Sequence, residues 1–230
     1  VNRLFNGVVT IMVLLAAAAS HRVVPRRPDL IRLAWWLVVL VAANAVLGGI
    51  SVKVDLHPLA IQGHLLLAMA AIVVATTLVR RAGESEGAVR RRVVSDGTDR
   101  VMSAHFVATC VAVFTGTLVT GAGPHAGDAT AERLDIAIPA VARIHGITVV
   151  ITIALALVVA VMISRRGHDR SAVQTALSTW IAIGVAQAAI GYVQYFNDVP
   201  ALLVGIHVAG ATAVMWASTR LLLATRSEAG

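Results

Sequence analysis

The sequence predicts an all-α integral membrane protein of about seven transmembrane helices, forming two pseudo-symmetric four-helix bundles, the first of which lacks its first helix. Three observations predict it. The composition is 58% hydrophobic and only 13% charged, with a mean hydropathy of +0.82. Soluble globular chains average about 45–50% apolar and about 25% charged residues, so lipid is the expected solvent. Seven apolar runs have membrane-spanning character, and the chain repeats itself internally without a gap. The formal charge of +7 does not point to nucleic acid, because the arginines sit in short loops between apolar runs. Cys110 is the single cysteine, which excludes an internal disulfide and argues against a zinc cluster.

The apolar runs cover residues 4–20, 33–50, 59–79, 101–121, 138–163, 174–196 and 201–223. A bilayer core of about 30 Å needs roughly 20 such residues per helix. Gly, Ala, Ser and Thr recur within the runs and let helix backbones approach closely. The first run is not expected to be a signal peptide, because its basic cluster follows the apolar stretch instead of preceding it. The chain enters that helix almost directly from Val1, and it is read as a piece of a longer protein that has lost its N-terminus. Three segments follow: an N-terminal half-bundle of three helices (1–80), a basic cytoplasmic linker (81–100) and a C-terminal four-helix bundle (101–230).

Loop charge sets the expected orientation. Arg22, Arg26, Arg27 and Arg32 lie in one loop, and Arg80, Arg81, Arg90, Arg91, Arg92 and Arg100 in another. Arg165, Arg166 and Arg170, and then Arg220 and Arg226, fall on the same side. The opposite side carries Arg3, Lys53, Arg133 and Arg143. The positive-inside rule places the first set, and the C-terminus, in the cytoplasm. The expected location is the cell's inner (plasma) membrane, with membrane lipid as the surrounding partner and no nucleic acid.

A shift of 143 positions aligns the two halves. Asn44 meets Gln187, Gly48 meets Gly191, Asp55 meets Asp198 and His64 meets His207. The same shift sets Asn2 opposite His145. The first three helices therefore repeat as the last three, and the helix over 101–121 has no partner in the chain. In membrane proteins such repeats often locate the binding site.

His64, His145 and His207 each fall about six residues into a helix that enters from the arginine-poor side. At 1.5 Å per residue that is about 9 Å below the membrane edge. Ionisable groups at that depth are costly, so function is their first reading. Two histidines at one level on facing helices suit bis-imidazole ligation of haem. His145 and His207 form a complete pair, whereas His64 faces Asn2, a poor iron ligand. Arg3, Arg143 and Arg133 flank this level and are expected to pair with haem propionates, although an interfacial role serves them equally well. His21 and His168 are expected in solvated loops, His105 near an interface, His57 outside any ligand set, and Cys110 as a small buried packing residue.

Four stretches resemble the haem A synthase family in its bacterial, actinobacterial-like form: TGTLVTGAGPHAGD (115–128), ARIHG (142–146), QYFNDVPALLVGIHVAGA (194–211) and LGGISVKVDLHPLAIQGHLLLA (47–68). The resemblance spans nearly the whole chain. It implies an oxidoreductase that converts the C8 methyl group of haem O to a formyl group, giving haem A for cytochrome oxidase. It implies eight helices in two bundles, with haem b held by His145 and His207, and substrate haem O (and product haem A) beside His64. The family's other first-bundle histidine falls on Asn2. Its candidate catalytic glutamate falls just before Val1, so the chain is expected to be inactive without it. Haem O synthase and an electron donor are the implied partners. A membrane diheme b-type cytochrome for electron transfer explains the histidines and the repeat equally well, but not GPHAGD. A repeat-built transporter predicts no haem at all.

Overall fold

The computed structural model describes residues 2–124, 132–164 and 171–228. Its helices are α1 (Asn2–Ser20), α2 (Pro28–Lys53), α3 (Pro58–Ala82), α4 (Asp96–Ala122), α5 (Ile138–Ser164), α6 (Ser171–Phe196) and α7 (Ala201–Leu223). Two short strands, β1 (Arg90–Arg92) and β2 (Arg226–Glu228), pair antiparallel at the arginine-rich end. Helices α2 to α7 are long and apolar enough to cross a membrane. The apolar stretch of α1, Leu4–Ser20, is shorter and sits at the lower limit of about 17 residues for a span.

Several helices begin ahead of their apolar runs, and local chemistry explains where. Pro28 and Pro58 occupy the first turns of α2 and α3, where a missing N–H costs nothing. His57 caps α3 by accepting the Leu59 N–H at 3.3 Å. Ser95 caps α4 by accepting the Thr98 N–H at 3.3 Å, and Asp96 and Asp99 favour the positive end of the helix dipole.

The repeat extends to backbone detail. Adding 143 to the first residues of α2 and α3 gives the first residues of α6 and α7. Asp55 and Leu56 both have positive φ (49° and 59°), and so do their counterparts Asp198 and Val199 (56° and 54°). The Leu56 N–H donates to the Ser51 carbonyl, and the Val199 N–H to the Gln194 carbonyl, both at 2.8 Å. Buried Leu30, Ala34 and Leu37 on α2 have Val173, Leu177 and Trp180 at the same places on α6. One turn geometry thus sets the α2–α3 and α6–α7 hairpins alike.

Helices α4, α5, α6 and α7 close a ring: α4 packs on α5, α5 on α6, α6 on α7, and α7 on α4. Helices α1 and α3 both flank α2, and α3 joins the two groups by packing on α4 and α7. The Gln62 side-chain amide on α3 donates to Thr117 Oγ1 on α4 at 2.6 Å across this seam.

The tightest packing lies at the arginine-rich end. Met102, Ala156, Val159, Val173, Trp180 and Leu221 are buried together there. The Trp180 indole N–H donates to Ser218 Oγ at 2.7 Å, and Ser218 meets Thr109 Oγ1 at 3.0 Å. Outside the helices, Arg27 pairs with Asp29 and donates to the carbonyls of Glu84 (2.8 Å) and Arg81 (2.9 Å), which fixes the start of α2 to the end of α3.

Trp180→Ala removes a buried ring and the indole N–H that Ser218 accepts. It is expected to cost about 3 kcal/mol in detergent unfolding, while Trp36→Ala, at a position 57% exposed, costs far less. Equal losses at the two positions contradict this packing.

Candidate functional site

His64 and His207 lie six residues beyond the first residues of α3 and α7, and His145 seven beyond that of α5. All three helices start at the arginine-poor end, so the imidazoles share one level. Because α5 and α7 sit across the ring from each other, His145 and His207 approach from opposite sides. Their ring centres are 6.4 Å apart and the ring planes stand at 88°. An imidazole–metal bond is about 2 Å, and each ring adds about 1 Å from nitrogen to centre, so two rings on one metal lie about 6 Å apart. The observed spacing matches.

The ring of His145 is fixed from behind. Its Nδ1 lies 3.0 Å from the Ala112 carbonyl and 3.3 Å from Thr115 Oγ1 on α4. A carbonyl oxygen only accepts, so Nδ1 carries the proton and Nε2 keeps a free lone pair, the form a metal requires. Thr115 is itself held, donating to the carbonyls of Val111 and Ala112 at 3.0 Å and meeting Thr148 Oγ1 at 3.1 Å. His64 repeats the arrangement, with Nδ1 3.0 Å from the Asn44 carbonyl on α2. His207 differs. Its Nδ1 is buried without a hydrogen-bond partner, while the Gln187 side-chain amide donates to the His207 backbone carbonyl.

The helix faces around His207 are open. Buried positions on α6 run from Val173 to Gln187, and those on α7 begin only at Met215. Between these limits, around His207, side chains are at most partly covered; Tyr192, Val193 and Ile206 are 62%, 51% and 44% exposed. No cluster of three His, Cys, Asp or Glu side chains converges among the described residues. A metal held by His145 and His207 would therefore draw its other donors from a ligand such as a porphyrin, and the residues present fit one.

Arg143 is exposed and stands two residues ahead of His145, so it leaves the helix on another face. Arg133 donates to the Pro124 carbonyl at 2.9 Å. The side chains of Arg3 and Asn2, residues 125–128 of the GPHAGD motif and His168 lie outside the described residues. His57 caps α3 and approaches Glu132 at 3.6 Å, and His21 accepts the Trp35 indole N–H at 3.0 Å.

His105 corrects the sequence-based expectation of an interfacial position. It is 1% exposed and stacks edge-on against Trp180, ring centres 4.4 Å apart. The inward face of α4 carries it into the packed core. Cys110 is only partly buried. Sequence reasoning also missed Thr115 and the Ala112 carbonyl. Thr115 is one threonine among many on α4, and a backbone acceptor leaves no trace in residue type.

The geometry predicts that His64 and His145 are Nδ1–H tautomers in the haem-free protein. Nitrogen-15 NMR of histidine-labelled protein in bilayers reads this directly, and an Nε2–H tautomer at either position contradicts the assignment.

The COX15-CtaA family, described as cytochrome oxidase assembly protein, matches residues 1–219. No curated protein and no solved structure matches the chain. The match takes in the seven helices of the described residues up to the last turn of α7, including His64, His145 and His207, so the chain belongs to the COX15-CtaA family of cytochrome oxidase assembly proteins.

Proposed function

We propose that this protein is a haem A synthase, an oxidoreductase that converts the C8 methyl group of haem O to the formyl group of haem A. The observation that carries the reading is the His145–His207 pair: two imidazoles from opposing helices, 6.4 Å apart, one of them fixed with Nε2 free. Family membership in cytochrome oxidase assembly supports it, because haem A is a component of that oxidase.

In this reading His145 and His207 hold haem b, and His64 presents Nε2 to the substrate, haem O. A haem with two histidine ligands supplies one-electron transfer when bound. The protein's own contribution is placement. The Ala112 carbonyl and Thr115 keep His145 in the ligating tautomer, and the Asn44 carbonyl does the same for His64. Half-covered helix faces at the level of the histidines give the substrate's long apolar tail a path to lipid. Arg3 and Arg133 would offer positive charge to the propionates at the arginine-poor end, whereas Arg143 leaves α5 on a face away from His145. The oxidation needs an electron acceptor and an oxygen atom, both from outside the chain. The arginine-rich end and the C-terminus face the cytoplasm of a plasma-membrane protein, and haem O synthase is the expected supplier of substrate.

The test is haem extraction from cells that make haem O, express the complete gene and have no other source of haem A. Haem A should appear. Haem O accumulating beside haem B alone contradicts the synthase reading and favours a diheme electron carrier. In purified protein, His207→Ala is expected to abolish the low-spin haem b spectrum. His64→Ala is expected to leave that spectrum and to weaken haem O binding by about tenfold or more. Equal loss of a single spectrum in both variants contradicts two separate sites.

A further inference from the structure

A glycine stands against each of the three histidines. A Cβ built on Gly48 would lie 2.9 Å from Cε1 of His64; on Gly116, 3.1 Å from Cε1 of His145; on Gly191, 3.1 Å from Cε1 of His207. These are the closest heavy-atom contacts at all three positions. By contrast Gly49 and Gly205, on α2 and α7, have nothing within 4 Å.

Two of these glycines follow, by four residues, the residue whose carbonyl faces the imidazole, and the third stands at the same spacing from Gln187. Asn44 precedes Gly48 and its carbonyl lies 3.0 Å from His64 Nδ1. Ala112 precedes Gly116 and its carbonyl lies 3.0 Å from His145 Nδ1. Gln187 precedes Gly191, and its side-chain amide donates to the His207 backbone carbonyl, while His207 Nδ1 is buried without a partner. Helix geometry connects the two facts. A carbonyl at position i already accepts the N–H of i+4 and keeps one lone pair. Side chains lean toward the helix N-terminus, so the side chain at i+4 lies over that carbonyl's turn. Glycine at i+4 uncovers the lone pair and leaves room for a ring.

We propose that Gly48, Gly116 and Gly191 are positioning residues for the haem-binding histidines: each opens a notch in which a backbone carbonyl holds Nδ1 and thereby aims Nε2 at iron. The proposal rests on the reading of His64, His145 and His207 as haem ligands. It extends to α4, which has no repeat partner in the chain yet carries the same carbonyl–glycine spacing as α2 and α6. It also assigns the Gln187 carbonyl as the acceptor for His207 Nδ1 once that ring is seated.

The test compares Gly116→Ala and Gly191→Ala with Gly49→Ala and Gly205→Ala in the full chain loaded with haem b. The notch variants should lose low-spin character, retain haem about tenfold less tightly or worse, and shift its reduction potential; the control variants should match the parent. Folded notch variants with unchanged spectrum and potential overturn the proposal. A haem-free double-mutant cycle separates this from failure of the functional reading. Alanine normally stabilises a helix relative to glycine, so a lower unfolding midpoint in Gly191→Ala reports the clash. That loss should vanish when His207→Ala removes the ring, and the same should hold for Gly116 with His145 and Gly48 with His64. A loss that persists without the imidazole overturns the notch, whether or not haem binds. A parent protein that takes up no haem, with the cycle still closing as expected, sinks only the haem reading.

Discussion

The hydrogen bond from an imidazole Nδ1 to a helix carbonyl is the contact on which the site depends. It fixes the tautomer, the ring rotation and the direction of the remaining nitrogen in one step. Within a bilayer a buried imidazole nitrogen has no water to turn to, and leaving it unpaired is costly. The backbone of the neighbouring helix supplies the acceptor, and a glycine four residues further on leaves it uncovered. His64 and His145 use it at the same 3.0 Å, on helices of different halves. Among the three site histidines the pattern is incomplete at His207, whose Nδ1 is buried without a partner, and both ring nitrogens of His105 in the packed core are likewise unpartnered.

The fold serves that contact by dividing labour along the membrane normal. At the arginine-rich end, Trp180, Ser218, Thr109 and the surrounding apolar side chains make a packed core, and Arg27 with the β1–β2 ribbon ties the loops together. At the other end the histidines stand where α6 and α7 carry only partly covered side chains, although Ser51, Thr117, Ala122 and Val141 on the other helices are buried. A bundle anchored at one end holds helix positions rigidly enough to set two rings 6.4 Å apart without filling the space beside them. Interior polar contacts such as Gln62–Thr117 and Thr109–Ser218–Trp180 join different helices and add to their close packing.

Much of this was legible in the residues. The 143-residue offset foretold the equivalence of the two hairpins, and the structure carries it into the positive φ values of Asp55, Leu56, Asp198 and Val199. The common depth of the three histidines followed from counting along apolar runs. Helix starts were less legible: α2 begins at Pro28, five residues ahead of its apolar run, because a proline and an acidic residue set the first turn where hydropathy is silent. The burial of His105 was hidden for a related reason. Depth along a helix can be counted, but the face a residue presents depends on neighbours that pack from distant sequence. Thr115 and the carbonyl of Ala112 were out of reach, since backbone acceptors carry no residue signature. The glycines lay in view, because Gly48 and Gly191 align under the repeat; only the structure shows what they stand against.

The most direct measurement of the account is low-temperature electron paramagnetic resonance of the oxidised, haem b-loaded protein. If His145 and His207 hold the haem iron, imidazole planes at 88° would leave the iron's two π-type d orbitals nearly degenerate. The account therefore predicts a strongly anisotropic low-spin signal with one large g value, lost when either His145 or His207 is replaced. A high-spin signal indifferent to both replacements, or a rhombic low-spin signal of coplanar rings, contradicts it.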